Sequence, residues 1–577
     1  MSHPPVVNAL YKKHIRTGDH AGSDYFAVIA ELVRERNRCA DGSEEYRQWQ
    51  RQIDVVYELV ADELRHSQGR PRTAVKFGTS GWRGIIGKDL FTKSVALVTR
   101  AIVAMYEELE PGSALAPALG VASLAEARKR GCVIGHDNRF GGELLARAAT
   151  DVLTSHGFTV LYAGEATTGT LSAALLVHGT AFSINLTPSH NPLPYAGFKF
   201  NAADGGPAAS PVTNRITELA RQLIDADQPL AIAPEASLVR ECDALGAWIE
   251  LVRRGQARHG LDYQQIMADF ARADNLVVAV DCVHGASRVH ARRLFMDLDN
   301  PRLLFFRDQA DPTFGGVAPE PSTANMATVT RALAERREPL KLGIIMDPDA
   351  DRVRFTDGTT EIDMNCFGAM AYHFLHEVKG KKGLVAKTVA TSNFANQLAE
   401  AFGEEVFEPK VGFKEFKPVI DRALICFEES DGITAIGHTP EKDAYIGLLL
   451  ALAMVLTLQK NLGDYQQELR DTYGAFYPAR DGVAVSQQGG ELGATLAKLD
   501  KYRVGATVTV GGEGKRIARV IDIDGRKMIL DDGSWLMIRP SGTEPKVRFY
   551  VEARTETGKD ALFAAAKAML AEIGLLA

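Results

Sequence analysis

The chain has 577 residues, of which 46% are hydrophobic and 24% charged, a composition typical of a globular protein with several domains. A net charge of -7 argues against a nucleic-acid binder with a broad basic surface. No apolar run is long enough to span a membrane, the N-terminus lacks a signal-peptide pattern, and the six scattered cysteines show no metal or disulfide spacing. We therefore expect a cytoplasmic protein that binds neither nucleic acid nor membrane.

The first 70 residues are predicted to form a helical extension. Tyr25, Ile29 and Val33 recur at helical spacing behind Ser23, which we expect to cap their helix, and a second apolar series of the same spacing follows. Much later in the chain, the uncharged stretch from Ala444 to Gln459 is too short for a membrane span and is predicted to be a buried helix.

The rest of the chain is predicted to consist of domains in tandem. From about residue 75, short apolar runs that end in Gly or Asp alternate with helical stretches, which is the α/β pattern, and the part after residue 475 is rich in strands. Ligands of open α/β sheets collect at the carboxyl ends of the strands, so the loops there are candidates for chemistry. The predicted units are the extension at 1–70, domain 1 at 71–235, domain 2 at 236–360, domain 3 at 361–475 and an α+β domain 4 at 476–577.

One such loop places a serine between two prolines. The sequence TPSHNP follows the apolar run AFSINL, and the prolines on either side restrict the backbone around Ser189. A rigid loop at a strand end holds a nucleophile in one position. A proline-rich turn with an incidental serine is the alternative, and the GxSxG pattern of hydrolases is absent here.

A second loop carries three carboxylates at alternate positions. Asp347, Asp349 and Asp351 in DPDADR can converge on one hard cation through oxygen ligands. The sequence is not an EF-hand, because Arg352 occupies the sixth position and Gly358 the twelfth. Three carboxylates so close repel one another unless a cation lies among them, although a solvated acidic turn remains the alternative.

Three further segments have polar residues suited to a phosphosugar, each with an ordinary turn as its alternative. FEESDG at 427, followed by GHTPEKD, offers carboxylates and a hydroxyl to sugar hydroxyl groups. RPSGTEP at 539 offers an Arg, hydroxyls and a Gly to a phosphate. FGTSGWRG at 77 is glycine-rich with one Arg.

Together and in this order, the five motifs resemble those of the α-D-phosphohexomutase superfamily, which includes phosphoglucomutases and phosphomannomutases. The resemblance covers roughly residues 70–577. It implies three related α/β domains and a C-terminal α+β domain around a central cleft, to which the N-terminal helical extension is added. Pro348, Phe427 and Asp431 stand where many members have glycine, and the last two put the substrate preference in doubt.

The resemblance also implies roles for individual residues. Ser189 would be the phosphoserine, and its phosphate would bind Mg²⁺ together with Asp347, Asp349 and Asp351. The other implied residues are Arg83, His190, Lys199 and Arg352 for phosphoryl transfer, Glu428, Ser430, Lys414 and Lys442 for the sugar, and Arg539, Ser541, Gly542 and Thr543 for the second phosphate. Lys199 is the first choice for general acid/base, with a pKa that neighbouring cations would lower toward neutrality.

The implied reaction is that of a phosphoglucomutase. Glucose 1-phosphate and glucose 6-phosphate would be interconverted through phospho-Ser189 and glucose 1,6-bisphosphate, and small hexose phosphates would be the partners of a monomer or homodimer. A phosphomannomutase or dual-specificity phosphohexomutase is the alternative, followed by a phosphopentomutase. A non-catalytic phosphosugar-binding protein is a further alternative, against which the retention of Ser189 and the three aspartates argues.

Overall fold

In the part of the chain that the structure describes, three helices precede the first sheet: α1 (Pro5–His14), α2 (Tyr25–Arg36) and α3 (Glu44–His66). The structure, a computed structural model, describes residues 5–78, 80–110, 112–541 and 546–576. Helices α2 and α3 confirm the two helices that the apolar spacing predicted, and they pack against each other. The predicted cap is wrong by one residue, because the Asp24 carboxylate accepts from the Ala27 backbone N while the Ser23 hydroxyl accepts from the Arg16 backbone N.

The first sheet contains six strands in the order β1-β5-β4-β2-β3-β6. Its strands are β1 (Trp82–Ile85), β2 (Cys132–His136), β3 (Val160–Glu165), β4 (Phe182–Leu186), β5 (Tyr195–Ala202) and β6 (Val239–Glu241). Its helices are α4 (Thr92–Glu107), α5 (Ala116–Leu119), α6 (Leu124–Arg130), α7 (Gly142–Ser155), α8 (Thr168–His178) and α9 (Ser210–Ala226). Strand β6 lies beyond the predicted boundary at residue 235 but pairs in parallel with β3, so the first sheet extends past that boundary.

The second and third sheets each combine parallel with antiparallel pairing, with two antiparallel pairs in the second sheet and one in the third. The second, in the order β11-β10-β9-β7-β8, contains β7 (Leu276–Asp281), β8 (Leu303–Phe306), β9 (Leu340–Met346), β10 (Val353–Thr356) and β11 (Glu361–Ile362). The third, in the order β13-β12-β14-β15, contains β12 (Val385–Lys387), β13 (Val406–Phe407), β14 (Ile425–Glu428) and β15 (Gly432–Ala435). Their helices are α10 (Ala244–His259), α11 (Tyr263–Arg272), α12 (Ala291–Leu294), α13 (Thr323–Ala334), α14 (Met364–His373), α15 (Phe394–Phe402), α16 (Ala444–Leu458) and α17 (Leu462–Tyr473).

The fourth sheet is antiparallel, which confirms the predicted α+β class of the C-terminal part. Its order is β16-β21-β20-β19-β18-β17. The strands are β16 (Tyr477–Ala484), β17 (Thr507–Val510), β18 (Glu513–Ile521), β19 (Arg526–Leu530), β20 (Trp535–Pro540) and β21 (Lys546–Ala553), with helices α18 (Gly489–Leu496) and α19 (Gly558–Glu572).

A single apolar core joins the second and third sheets. Helix α16 is almost entirely buried and packs on β9, β10 and β15, so the predicted buried helix is confirmed. Among the described residues, no single helix is long and apolar enough to cross a membrane, and only α16 and α17 taken together pass that test, with a bend of 78° between them. Because one core supports both sheets, the loops at the ends of β9 and β14 are held in a fixed relation.

Candidate active site

Ser189 lies in a constrained loop directly after β4. Its backbone adopts a left-handed conformation with φ of 57°, and its side chain is buried. The backbone N of Ser189 donates to Thr187 Oγ1 at 2.9 Å, and that hydroxyl donates to Asp137 Oδ2 at 2.6 Å. The loop is therefore anchored to the carboxyl end of β2, and the serine has one position, as a nucleophile requires.

Arg139 holds the same loop from the other side, a role that sequence reasoning missed. Its guanidinium donates to the backbone carbonyls of Ser189 at 2.8 Å and Pro192 at 2.9 Å, and also to that of Asn191. Burial lowers the pKa of Arg139 to about 10, so the side chain stays a cation. The only signal in the sequence is that HDNR follows a strand-like run, because the partners of Arg139 are carbonyls of a distant loop.

The three predicted aspartates converge next to Ser189. Asp347, Asp349 and Asp351 are all buried, and one carboxylate oxygen from each lies within 4.8 Å of the others. The Ser189 hydroxyl donates to Asp347 Oδ2 at 2.7 Å. The structure thus brings the serine loop of the first sheet and the aspartate loop of the second into direct contact.

The aspartate cluster fits a hard divalent cation. Oδ1 of Asp349 and Oδ1 of Asp351 are buried and have no hydrogen-bond partner in the described part of the chain. Burial and the neighbouring charge of Asp349 raise the pKa of Asp347 well above its ordinary value. Such crowded, unpartnered carboxylate oxygens are the donor set that Mg²⁺ or Ca²⁺ prefers.

Lys199 lies against the same carboxylates, and its predicted pKa shift is wrong. Its Nζ contacts Asp349 Oδ2 at 2.6 Å and Asp351 Oδ2 at 2.8 Å. Burial by itself lowers the pKa of Lys199, but the two carboxylates outweigh burial and raise it above the ordinary lysine value. The prediction considered neighbouring cations, whereas the structure surrounds this lysine with anions.

His190, predicted to assist phosphoryl transfer, is the basic residue next to the nucleophile. Its Nδ1 lies 3.3 Å from Ser189 Oγ. Burial, together with the charges of Arg352 and Arg83, lowers the pKa of His190, so its ring is neutral. Because burial and the same positive charges oppose its protonation, the ring is a weak base, and its Nδ1 is suited to a hydrogen bond with the Ser189 hydroxyl.

The two predicted arginines also lie at this site. Arg83 donates to Asn191 Oδ1 in the serine loop at 2.5 Å. Arg352 Nε lies 3.8 Å from Asp351 Oδ1 in the aspartate loop. With Lys199 they place three fixed positive charges around the aspartate cluster.

The sugar-loop residues are only partly brought to this cluster. Lys442 reaches Asp351 at 3.2 Å. Glu428 is buried at the end of β14, where its Oε1 accepts from the Gly412 backbone N at 2.9 Å. Lys414 instead donates to Ser210 Oγ at 2.8 Å and is not part of the cluster.

The predicted phosphate loop lies at the end of β20 in the fourth sheet. Arg539 pairs at 3.1 Å with Asp524, a residue between β18 and β19, and not with the aspartate cluster. Ser541 follows β20 directly and is the last residue of this loop that the structure describes. The predicted contacts of Gly542 and Thr543 fall outside the described residues.

Models of known protein families match most of the chain. Four phosphoglucomutase/phosphomannomutase models match in order: alpha/beta/alpha domain I at residues 74–226, domain II at 261–360, domain III at 363–473 and the C-terminal domain at 493–568. The chain belongs to the α-D-phosphohexomutase superfamily. It is therefore a phosphosugar mutase, an intramolecular phosphotransferase of the isomerase class, and its four sheets correspond in order to the four domains of the family.

Three similar proteins differ in the sugar that their names give. A probable phosphoglucosamine mutase of Methanopyrus kandleri is 29% identical over 83% of this chain and 94% of that protein. The phosphoglucomutase/phosphomannomutase of Thermococcus kodakarensis is 26% identical over 83% and 95%. The crystal structure of a putative phosphomannomutase from Thermus thermophilus superposes with a TM-score of 0.69 at 25% identity, over 86% of this chain and 99% of that one.

Proposed function

We propose that this mutase interconverts glucose 1-phosphate and glucose 6-phosphate through a phosphorylated Ser189, with glucose 1,6-bisphosphate as the intermediate. The observation that supports the proposal is the 2.7 Å contact between the Ser189 hydroxyl and Asp347 of the aspartate cluster. A nucleophile beside a cluster of cation-binding oxygens and several fixed positive charges is the arrangement that phosphoryl transfer needs. A cytoplasmic location, the predicted domain boundaries and a monomeric or homodimeric state stay predictions.

The proposed metal ligands are Asp347, Asp349 and Asp351. A bound Mg²⁺ would neutralise charge on the phosphoryl oxygens during transfer. The chain's own residues hold the reactants: Arg139 and Thr187 keep the serine loop in place through the contacts given above.

Side chains around Ser189 would donate and accept the proton that moves during transfer. In each transfer, the phosphorus–oxygen bond to one hydroxyl forms as the bond to the other breaks, and one proton moves from the attacking oxygen to the leaving oxygen. Lys199, as a cation, is able to donate a proton to the departing Ser189 Oγ, and it also balances charge on the phosphate. The same lysine would take that proton back when Ser189 attacks the bisphosphorylated sugar, because the second transfer reverses the first at Ser189 Oγ. His190 Nδ1, 3.3 Å from that oxygen, would hold the serine hydroxyl by a hydrogen bond.

We assign the remaining motifs to recognition of the sugar and of its second phosphate. Glu428, Ser430 and Lys442 would contact the sugar hydroxyl groups, and Arg539, Ser541, Gly542 and Thr543 would hold the phosphate that is not transferred. The support is the family membership together with the burial of Glu428 and the position of Lys442 beside Asp351. Lys414 would join them only if its contact with Ser210 opened.

Glucosamine phosphate is a second candidate substrate, because the name of the Methanopyrus relative gives that sugar. Coupled assays on glucose, mannose, glucosamine and ribose 1-phosphates, with Mg²⁺ present and after its removal by EDTA, would discriminate between the candidates. We expect the highest kcat/KM with glucose 1-phosphate and loss of turnover in EDTA. A higher value with glucosamine 1-phosphate would replace glucose as the proposed sugar.

The first prediction concerns the proposed phosphoserine. Ser189→Ala is expected to lower turnover by more than about 1,000-fold, because the variant has no hydroxyl at this position to carry the phosphoryl group. Intact-mass spectrometry should also show about 80 Da of added mass on the active wild-type chain and none at this position in the variant. Ser237→Ala, at an exposed serine just before the edge strand β6 whose hydroxyl donates to Glu235, is the matched control and should retain wild-type activity. Turnover by Ser189→Ala at the wild-type rate would eliminate the scheme.

A further inference from the structure

Arg354 and Asp431 join two loops that belong to different sheets. Arg354 lies on β10, which directly follows the aspartate loop, whereas Asp431 closes the turn between β14 and β15 that carries Ser430. The guanidinium contacts the carboxylate twice, with Nη2 to Oδ2 at 2.9 Å and Nε to Oδ1 at 3.3 Å. In addition, the Val353 backbone N donates to the Asp431 carbonyl at 2.9 Å. The aspartate loop and the turn are thus connected through both side chain and backbone.

The arginine is also fixed to its own sheet. Its Nη1 donates to Glu361 Oε1 on β11 at 2.9 Å, and Glu361 accepts in turn from Thr323 Oγ1 at 3.1 Å. The side chain of Asp431 is 3% exposed and that of Arg354 16%. Water therefore screens the pair little. Removing Arg354 leaves Asp431 buried without its ion-pair partner, whereas removing Asp431 leaves Arg354 paired only with Glu361.

Asp431 also has a backbone conformation that the turn between β14 and β15 requires. Its φ of 71° lies in the left-handed region, which costs energy for residues other than glycine, although Asp and Asn tolerate it. Glu428 pairs with Gly432 across the strands, so Glu429, Ser430 and Asp431 form a three-residue turn of which Asp431 is the left-handed member. By contrast, Phe427 is buried against Gly368 in the core and does not face the turn.

We propose that Arg354 and Asp431 are a positioning pair that sets the place of the turn relative to the aspartate loop, and that this position contributes to discrimination between hexose phosphates. The inference rests on the proposed function. One loop would hold the phosphoryl group and the other the sugar hydroxyl groups, so the relation between them decides which hydroxyl groups are reached. Displacements of about 1 Å are sufficient to cost about 100-fold in rate.

Two substitutions test the pair: Arg354→Gln and Asp431→Asn, the second of which keeps a residue that tolerates the left-handed backbone. The measurement is kcat and KM with glucose 1-phosphate and with mannose 1-phosphate, together with the thermal midpoint. Each variant should lose about tenfold in kcat/KM with glucose 1-phosphate and at least about threefold in the ratio between the two sugars. The double variant should lose less than the product of the single losses, because both act through one contact.

Arg307→Gln is the matched control. Arg307 makes a comparable two-fold contact with the buried Asp281, at 2.6 and 2.9 Å, but does not contact the turn. This variant should lower the thermal midpoint to a similar extent and leave the ratio between the sugars unchanged.

The two hypotheses fail in different ways. A wild-type chain that is inactive on every hexose phosphate overturns the proposed function and this inference with it. An active wild type whose sugar ratio survives both Arg354→Gln and Asp431→Asn overturns the inference alone. The inference is also overturned if Arg307→Gln changes the sugar ratio as much as Arg354→Gln and Asp431→Asn do, since the change would then come from general destabilisation.

Discussion

Glu428 shows how burial controls the protonation of a single side chain. Burial is the largest cause that raises the pKa of this carboxyl, to about 7, and the charge of Glu429 adds to it while Lys442 opposes it. The group is therefore neutral in the folded protein under mildly acidic conditions, in which an unfolded chain already ionises it. A neutral carboxyl can donate as well as accept, which bears on how it would contact a sugar.

A pH-dependent loss of stability follows from that shift. Below about pH 4.5 Glu428 is protonated in both the folded and the unfolded chain, and its burial then opposes folding least. As the pH rises from about 4.5 to about 7, the unfolded chain loses this proton first, and the free energy of unfolding falls by about 3 kcal/mol. The free energy of unfolding, measured with urea, should therefore fall for the wild type relative to Glu428→Gln as the pH rises across this range. Glu235→Gln, on an exposed site, is the control, and a difference that stays constant with pH would contradict the assigned burial effect.

At the scale of elements, the N-terminal helices support the serine loop from a distance. Arg36 at the end of α2 contacts Asp311 at 3.1 Å and Thr313 at 3.3 Å in the loop after β8. The ring of Phe314 in that loop lies 4.8 Å from the guanidinium of Arg139. The extension thus contacts the same loop that packs on Arg139, the residue that binds the Ser189 carbonyl.

Substitution of Arg36 measures this support. Arg36→Ala leaves Asp311 without its charge partner and should cost about 3 kcal/mol of stability, because the Arg36 side chain is buried. It should also lower kcat more than it raises KM, since the serine loop and not the sugar turn is disturbed. Arg34→Ala on the same helix is the matched control, because its pair with Glu31 is exposed and worth less than about 1 kcal/mol. Equal effects of the two variants would refute a supporting role for α2.

At the scale of the whole molecule, two buried lysines and a glutamate connect the fourth sheet to the third. Lys527 on β19 contacts Glu408 at 3.2 Å and the Val389 carbonyl at 2.9 Å, and Glu408 also pairs with Lys387 on β12 at 3.0 Å. Both lysines are fully buried. Because Arg539 lies on β20 of the same sheet, we expect this contact to influence the position of the proposed phosphate loop.

Lys527→Met should therefore weaken binding of the sugar phosphate. The variant leaves Glu408 paired with Lys387 but removes the hydrogen bonds that Lys527 itself makes across the sheets, each worth about 1.5–3 kcal/mol when the lysine is charged. We expect KM for the hexose phosphate to rise about tenfold while kcat changes less. Lys515→Met on β18, whose pair with Asp532 stays within the fourth sheet, is the control. A KM that is unchanged in Lys527→Met would show that the contact does not orient the phosphate loop.

The sequence by itself determined what depends on short stretches of chain. The alternation of apolar runs and helices predicted the α/β class, and motifs of a few residues predicted Ser189, the three aspartates and the family. These features are local, because the side-chain period of a strand or helix and the geometry of a loop are set by neighbouring residues. The missed cap at Asp24 shows the limit even here, since Ser and Asp are both good caps and stand side by side.

Only the tertiary structure decided which of these segments meet. It placed Ser189 against Asp347, assigned Arg139 to the serine loop and surrounded Lys199 with carboxylates, which reversed the predicted direction of its pKa shift. It also put β6 into the first sheet beyond the predicted boundary. Each of these depends on packing between residues that are far apart in the chain, and local patterns carry no information on which distant charge will lie beside a buried group.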